Sequence, residues 1–281
     1  METTNPHQRS AIAEFRALHE SGCFILPNPW DTGTARVLQQ LGFRALATTS
    51  AGFAYTRGRP DDTEAVPLAE MLAHCAEIAA ATPLPVNADF QNGYADDPEG
   101  VAENVSRCIA TGVAGLSVED ATGDEAAPLY ELGLAIERVR AARAAIDASG
   151  IPVVLTARCE AWLVGDPDAE RVAIDRLIAF ADAGADCLYA PGACTADQVA
   201  AIVRAVAPKP VNVLMSAPSP DLPFSRLADL GVRRVSVGSA LARVAWGGFI
   251  RAARKLADGS FDGLADGFPY GELNAMLRRK D

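Results

Sequence analysis

Asn87-Ala88-Asp89, Val118-Glu119-Asp120 and Thr156-Ala157-Arg158 each close a short apolar run, and Asp61 follows another. Carboxylates from separate loops are the hard oxygen ligands that Mg²⁺ or Mn²⁺ uses when it also binds substrate, some of them acting through water. The same acids have a plainer use, as helix caps, and Asp120 suits that best. Arg158 ends the long apolar run from Ile151. Its guanidinium needs an anion, either a substrate carboxylate held by two N–H groups or a salt bridge to Glu119 or Asp89. Bases are scarce among these run ends. His7, His19 and His74 fall in the N-terminal tail or in helical stretches and read as surface or core residues. The lysines are Lys209, Lys255 and Lys280, and Lys209 precedes an apolar run instead of ending it, so a Schiff-base mechanism has no lysine. Cys159 has no nearby histidine to activate its thiolate and reads as packing.

Eight apolar runs must position these residues: Cys23 to Leu26, Ala45 to Thr48, Val86 to Asp89, Ala114 to Glu119, Val153 to Arg158, Cys187 to Tyr189, Val211 to Leu214 and Val235 to Gly238. A helix over Gln8 to Glu20, with Ile12, Phe15 and Leu18 on one face, precedes them. Alanine-rich helical stretches between most runs end in a glycine, at Gly42, Gly112, Gly150, Gly184 and Gly231. Strand and helix in alternation force parallel pairing by right-handed crossovers. Eight units in about 250 residues match a (β/α)8 barrel, an α/β fold whose chemistry sits at the C-terminal strand ends. Asn28-Pro29-Trp30-Asp31-Thr32-Gly33 after the first run lacks the glycine fingerprint of a dinucleotide fold. No linker divides the chain, which reads as one domain over 1–281, with a barrel core about 23–245 and a helical extension about 246–281. In that extension Phe261, Leu264 and Phe268 are expected to pack on the barrel or on a neighbouring subunit.

The 281 residues carry a formal charge of −11, with no long charged block. That balance excludes a surface built for nucleic acid or anionic lipid. No apolar stretch is long enough to span a membrane, and Met1 to Ser10 is polar, so the expected location is cytoplasmic. Six cysteines without a CxxC spacing suggest neither a disulfide frame nor a zinc site. Ser236 to Leu241 could form a phosphate-holding turn of backbone N–H groups, although small residues there also serve tight packing.

Thr48-Thr49-Ser50-Ala51-Gly52, Gly58-Arg59-Pro60-Asp61, Asn87-Ala88-Asp89 with Gly93-Tyr94, Gly115 to Asp120, and Ala157-Arg158, in that order, resemble the isocitrate lyase and phosphoenolpyruvate mutase superfamily. The resemblance spans roughly Asn28 to Leu241. It implies a (β/α)8 barrel in a homodimer or homotetramer whose last helix packs on a neighbour. It also implies Mg²⁺, a small 2-oxo acid, and C–C or P–C bond chemistry beside a pyruvate-like enolate. Carried over by position, Asp89 is similar to the main metal-binding aspartate, and Asp61 and Glu119 to acids that hold water on the metal. Thr49, Ser50 and Ala51 are similar to the loop that grips the substrate carboxylate, Arg158 to the arginine that helps hold the oxo acid, and Asn212 to a polar residue of the seventh strand.

The departures bear on the reaction. Lyases of this family carry a Lys-Lys/Arg-Cys-Gly-His loop after the fourth strand, whereas Asp120 to Tyr130 has no cysteine and lacks the longer lysine-containing loop of the phosphonate enzymes. Asn87 replaces the first acid of the usual Asp-x-Asp pair, and Pro191-Gly192 stands where lyases keep a glutamate. The expectation is therefore C–C cleavage of a small 2-oxo or 2-hydroxy dicarboxylic acid, as a lyase or decarboxylase. Arg158 and Glu119 are the expected catalytic groups, with Tyr130, Glu125 or Asp124 as replacement proton donor. The alternatives are P–C chemistry on phosphonopyruvate or phosphoenolpyruvate, and non-catalytic binding of a 2-oxo acid such as 2-oxoglutarate.

Overall fold

The computed structural model describes residues 6–62 and 65–278. The first residues of the polar N-terminal stretch and Lys280 lie outside the described residues. Strands β1 (Phe24–Leu26), β2 (Leu46–Ala47), β3 (Val86–Asp89), β4 (Gly115–Glu119), β5 (Val154–Arg158), β6 (Cys187–Tyr189), β7 (Val211–Leu214) and β8 (Arg234–Ser236) form one parallel sheet. Its order is β1-β8-β7-β6-β5-β4-β3-β2. The seam between β1 and β2 is bridged where the Ala47 N–H donates to the Pro27 carbonyl at 3.0 Å, and the sheet is a (β/α)8 barrel. Each strand overlaps an expected apolar run; only β8 begins a residue earlier, at Arg234.

The outer helices are α1 (Pro6–Glu20), α2 (Thr32–Gln40), α3 (Ser50–Thr56), α4 (Leu68–Ala81), α5 (Pro98–Ile109), α6 (Leu132–Ser149), α7 (Ala169–Asp182), α8 (Ala196–Val206), α9 (Phe224–Asp229), α10 (Ala240–Ala257) and α11 (Tyr270–Leu277). Glycine ends several of them for a steric reason. Gly184 after α7 has φ +105° and an added Cβ would lie 2.7 Å from Arg143 Cγ, so neither the conformation nor the space admits a side chain.

Helix α1 closes the N-terminal mouth of the barrel. Its Phe15 is fully buried, edge-on to His19 at 4.6 Å and to Phe24 at 6.3 Å. Above this floor the interior is polar, where such barrels ordinarily hold Val, Ile and Leu. The buried Arg234 donates through Nε to Asn212 Oδ1 at 2.9 Å and through Nη2 to Thr156 Oγ1 at 3.0 Å, and its Nη1 faces His19 Nε2 at 3.3 Å. His19 Nδ1 lies 2.7 Å from the Phe15 carbonyl, which makes Nδ1 the protonated nitrogen and leaves Nε2 to accept. Burial, then Arg234, pushes His19 down to about 3. Lys209 lies at this lower end, as expected, donating to the Ala185 carbonyl at 2.7 Å.

The tail forms the expected helical extension. The break at 245/246 falls inside α10. Helix α11 packs on α2 of its own chain, where the Gln40 amide donates to the Met276 carbonyl. Of the two partners expected for Phe261, Leu264 and Phe268, the barrel of their own chain does not cover them; they stand 75%, 55% and 58% exposed.

Candidate active site

The C-terminal strand ends enclose a cavity of about 270 Å³ lined by Thr49, Ser50, Ala51, Asp61, Asp89, Glu119 and Arg158, together with Gln91, Glu160, Tyr189 and Leu214. Seven of the residues singled out from the sequence therefore meet in one place. Local chemistry builds the β2–α3 corner. Thr48 Oγ1 accepts the Asp89 N–H at 2.8 Å, Thr49 Oγ1 caps α3 by accepting the Gly52 N–H at 3.1 Å, and Ser50 donates both its N–H (2.9 Å) and its hydroxyl (3.0 Å) to Asp89 Oδ2. Gly52 is needed there, because a Cβ would stand 2.6 Å from Thr49 Cγ2.

Arg158 lies among acids. Nη1 is 2.9 Å from Asp89 Oδ1 and 2.7 Å from Glu119 Oε1, while Nε and Nη2 donate to the two oxygens of Glu160 at 2.9 and 3.2 Å. The guanidinium also sits 4.9 Å above the Tyr189 ring. The two-pronged edge expected to clasp a substrate carboxylate is taken by Glu160, and the salt bridges to Asp89 and Glu119 are both present. Burial works against the Arg158 charge, but Glu119 and Glu160 outweigh it and hold the group well above its ordinary value. Burial raises Glu119 and Glu160. Asp61, at the open mouth, is pushed up to about 6 by desolvation and then by the Asp89 charge. Three acids thus face one arginine, and Asp61 stands with them in the lining of the cavity.

Two expected residues lie elsewhere. Asn212 sits one layer down, its amide donating to Ser236 Oγ at 2.9 Å and its oxygen accepting from Arg234. The Tyr130 hydroxyl donates to Asp96 Oδ1 at 2.5 Å and accepts from Asn92 at 3.1 Å, and the Arg138 guanidinium lies over the Tyr130 ring, 3.9 Å from its centroid. Its loop is pinned, with an Ala121–Leu129 bridge and a Thr122 hydroxyl bonded to the Ala127 carbonyl at 2.6 Å. Asp120 is structural: Oδ1 accepts the Glu160 N–H at 2.8 Å and Oδ2 pairs with Arg176 at 3.0 Å. The small-residue turn after β8 does not offer its first N–H groups to a phosphate. Val237 and Gly238 donate to Asn28 Oδ1 at 3.1 and 2.9 Å, and Asn28 Nδ2 donates to the Thr48 carbonyl, tying β1, β2 and β8 together. Cys159 is buried, which pushes its thiol up, as a packing role requires.

Among the described residues no three His, Cys, Asp or Glu side chains form a group that would hold a metal ion unaided. No described helix is long and apolar enough to cross a membrane.

Comparison with known proteins places this geometry. Residues 15–257 match the family model described as phosphoenolpyruvate phosphomutase. The chain belongs to that family, within the isocitrate lyase/phosphoenolpyruvate mutase superfamily. Among solved structures it is similar to a candidate lyase/mutase from Burkholderia cenocepacia J2315, at 46% identity and TM-score 0.93 over 99% of both chains. It is similar also to an oxaloacetate acetylhydrolase in complex with oxalate, at 29% identity and TM-score 0.85 over 96% of this chain and 94% of the other. Among curated sequences it is 31% identical to the oxaloacetate decarboxylase of Chromohalobacter salexigens, over 84% of this chain and 81% of that one.

For this phosphomutase-family chain, sequence reasoning passed over Glu160, Tyr189 and Gln91. Glu160 had a local signal: it lies two residues after Arg158, and in extended chain i and i+2 share a side. Tyr189 ends β6 and could have been found the same way. Gln91 gave none. Its φ of +45° and its buried Oε1 with no hydrogen-bond partner appear only in three dimensions.

Proposed function

We propose that the protein cleaves a C–C bond of a small 2-oxo or 2-hydroxy dicarboxylic acid with the help of a divalent cation, and that oxaloacetate is the first substrate to test. The observation carrying this is the acid-lined cavity around Arg158 at the barrel mouth, in a chain similar to an oxaloacetate decarboxylase.

The residues fit Mg²⁺ or Mn²⁺: the donors are all oxygen, the carboxylates outnumber the cation among them, and Gln91 Oε1 lacks a partner. Asp89 would hold the ion, with Asp61 and Glu119 through water. Bound there, it supplies a Lewis acid that stabilises an enolate oxygen. Arg158 would help hold the acid from the cavity wall, in an orientation set by Glu160 on its Nε–Nη2 edge. Leu214 and the Tyr189 ring supply apolar wall to the cavity. On oxaloacetate the C3–C4 bond breaks, its electron pair passes into C2–C3, CO₂ leaves, and C3 takes a proton to give pyruvate. Of the loop candidates for that proton, Asp124 lines an outer cavity that shares Asp61 and Asp62 with this one, whereas the Tyr130 hydroxyl is spent on Asp96. This reading includes a homodimer or homotetramer in the cytoplasm, where six unpaired cysteines stay reduced.

The test is pyruvate and CO₂ release, with Mg²⁺ and with EDTA, from oxaloacetate, 2-methylisocitrate, isocitrate and other 2-hydroxy diacids. Phosphonopyruvate joins the panel because the matched model describes a phosphomutase. We expect cation-dependent turnover of a carboxylic acid and a loss of at least about 100-fold in Asp89→Ala. Phosphate release from phosphonopyruvate alone, or silence across the panel from folded protein, overturns this reading; in the second case thermal stabilisation by 2-oxoglutarate would mark a binding protein.

A further inference from the structure

Glu160 is buried at 3% exposure and spends both carboxylate oxygens on one partner. Oε1 accepts from Arg158 Nε at 2.9 Å and Oε2 from Nη2 at 3.2 Å, a planar fork-to-fork pair. Its backbone is held as firmly as its side chain. The Glu160 N–H donates to Asp120 Oδ1 at 2.8 Å, Asp120 Oδ2 meets Arg176 Nη1 of α7 at 3.0 Å, and Arg176 Nη2 donates to the Tyr130 carbonyl at 2.7 Å. Charged groups just after β4, just after β5 and on α7 are thus linked in one line ending on Arg158. The side chains along it are nearly sealed, at 11% exposure for Arg176, 2% for Asp120, 4% for Glu160 and 12% for Arg158. A buried ion pair is not needed for stability as such, because desolvation offsets most of its attraction. Its geometric effect is plain: a guanidinium gripped along its Nε–Nη2 edge and lying over the Tyr189 ring keeps Nη1 in one place, between Asp89 and Glu119.

We propose that Glu160 is a positioning residue that fixes Arg158, so that its guanidinium holds one orientation in the wall of the substrate cavity. The proposal rests on the reading that Arg158 holds the acid. Glu160 itself takes no proton and touches no reacting atom; it acts through Arg158.

Three measurements on Glu160→Gln, Arg158→Lys and the double variant test this. The first needs no ligand: the side-chain Nε–H resonance of Arg158, assigned from its loss in Arg158→Lys, is expected to be slow to exchange in the wild type and fast in Glu160→Gln. The second is equilibrium binding of oxalate in Mg²⁺, which should weaken at least about tenfold in Glu160→Gln while far-ultraviolet dichroism stays unchanged. The third is the KM-against-kcat split on the acid that is turned over, with the larger change in KM. In the Arg158→Lys background, Glu160→Gln should add less than about twofold, because residues acting as one unit are non-additive. An unchanged Nε–H signal, unchanged oxalate affinity, or fully multiplicative losses overturn the positioning role. If wild-type protein neither binds oxalate nor turns over any acid, the functional reading falls, and the Nε–H measurement still decides whether Glu160 fixes Arg158.

Discussion

Residues that carry a charge into the interior need a partner or must stay neutral, and this chain uses both solutions. Arg158 keeps its charge by facing three carboxylates, whereas His74 gives its charge up. The His74 ring is buried and stacked on Phe53 of α3 at 3.9 Å, and burial, then Arg57, pushes it down to about 4 against a weaker opposing pull from Asp31. Its pH effect has a definite sign. The unfolded chain takes up the proton near 6.5 and the folded one near 4, so the native state loses stability as pH falls through that window and is unaffected above it. Between pH 7 and pH 5 the share of this one group is about 2 kcal/mol. In His74→Phe the acid-side loss of unfolding free energy, measured by urea titration at both pH values, is expected to shrink by that amount. Parallel losses in variant and wild type would show that the histidine is protonated in the fold.

Among the elements, α1 has a task that strand-and-helix counting does not assign to it. It is an added helix before β1, and it plugs the N-terminal mouth of the barrel with Phe15 and His19. Gly115 at the start of β4 makes room for the plug: a Cβ there would stand 2.8 Å from Phe15 Cε1. Because the reacting groups lie at the opposite strand ends, stability and activity should separate. Phe15→Ala is expected to lower the unfolding free energy by about 3–5 kcal/mol while kcat/KM at 25 °C changes less than about threefold. A collapse of kcat/KM in protein that remains folded would mean that the polar interior around Arg234 transmits the disturbance upward. Helix α6 supports the other end, where buried Arg138 bonds the carbonyls of Asn92, Ala95 and Asp96 and so shapes the loop after β3.

Seen whole, the molecule leaves many large apolar side chains exposed on its C-terminal segment. Val244 and Phe249 of α10 are 70% and 63% exposed, Trp246 packs edge-on to Phe249 at 5.7 Å, and Phe261, Leu264, Phe268 and Tyr270 are exposed as well. Such a surface on a chain of charge −11 calls for cover by another molecule, and the proposed homo-oligomer supplies it. Light scattering on the eluting protein is expected to give a multiple of 29.4 kDa for the wild type and a smaller species for Phe249→Asp with Phe268→Asp. A wild-type mass of one chain would remove the oligomer from the proposal.

The barrel was legible in the amino-acid order because its signals are local. Apolar runs such as Val86 to Asp89 and Val154 to Arg158 mark strands, a glycine such as Gly184 marks a helix end, and an acid or arginine closing a run marks the reactive rim. Strand ends converge in any closed parallel barrel, so Asp61, Asp89, Glu119 and Arg158 could be assigned to one cavity before any coordinate was known. Partnership was not legible, because it depends on distances between residues far apart in the chain. Whether Arg158 would meet substrate, Glu119 or its near neighbour Glu160, whether Tyr130 would face the cavity or Asp96, and whether Asn28 would leave the turn after β8 free all turn on a few ångströms of side-chain reach. Residue types limit which hydrogen bonds are possible, and packing selects among them, since a buried polar group must take the partner that the fold brings within about 3 Å.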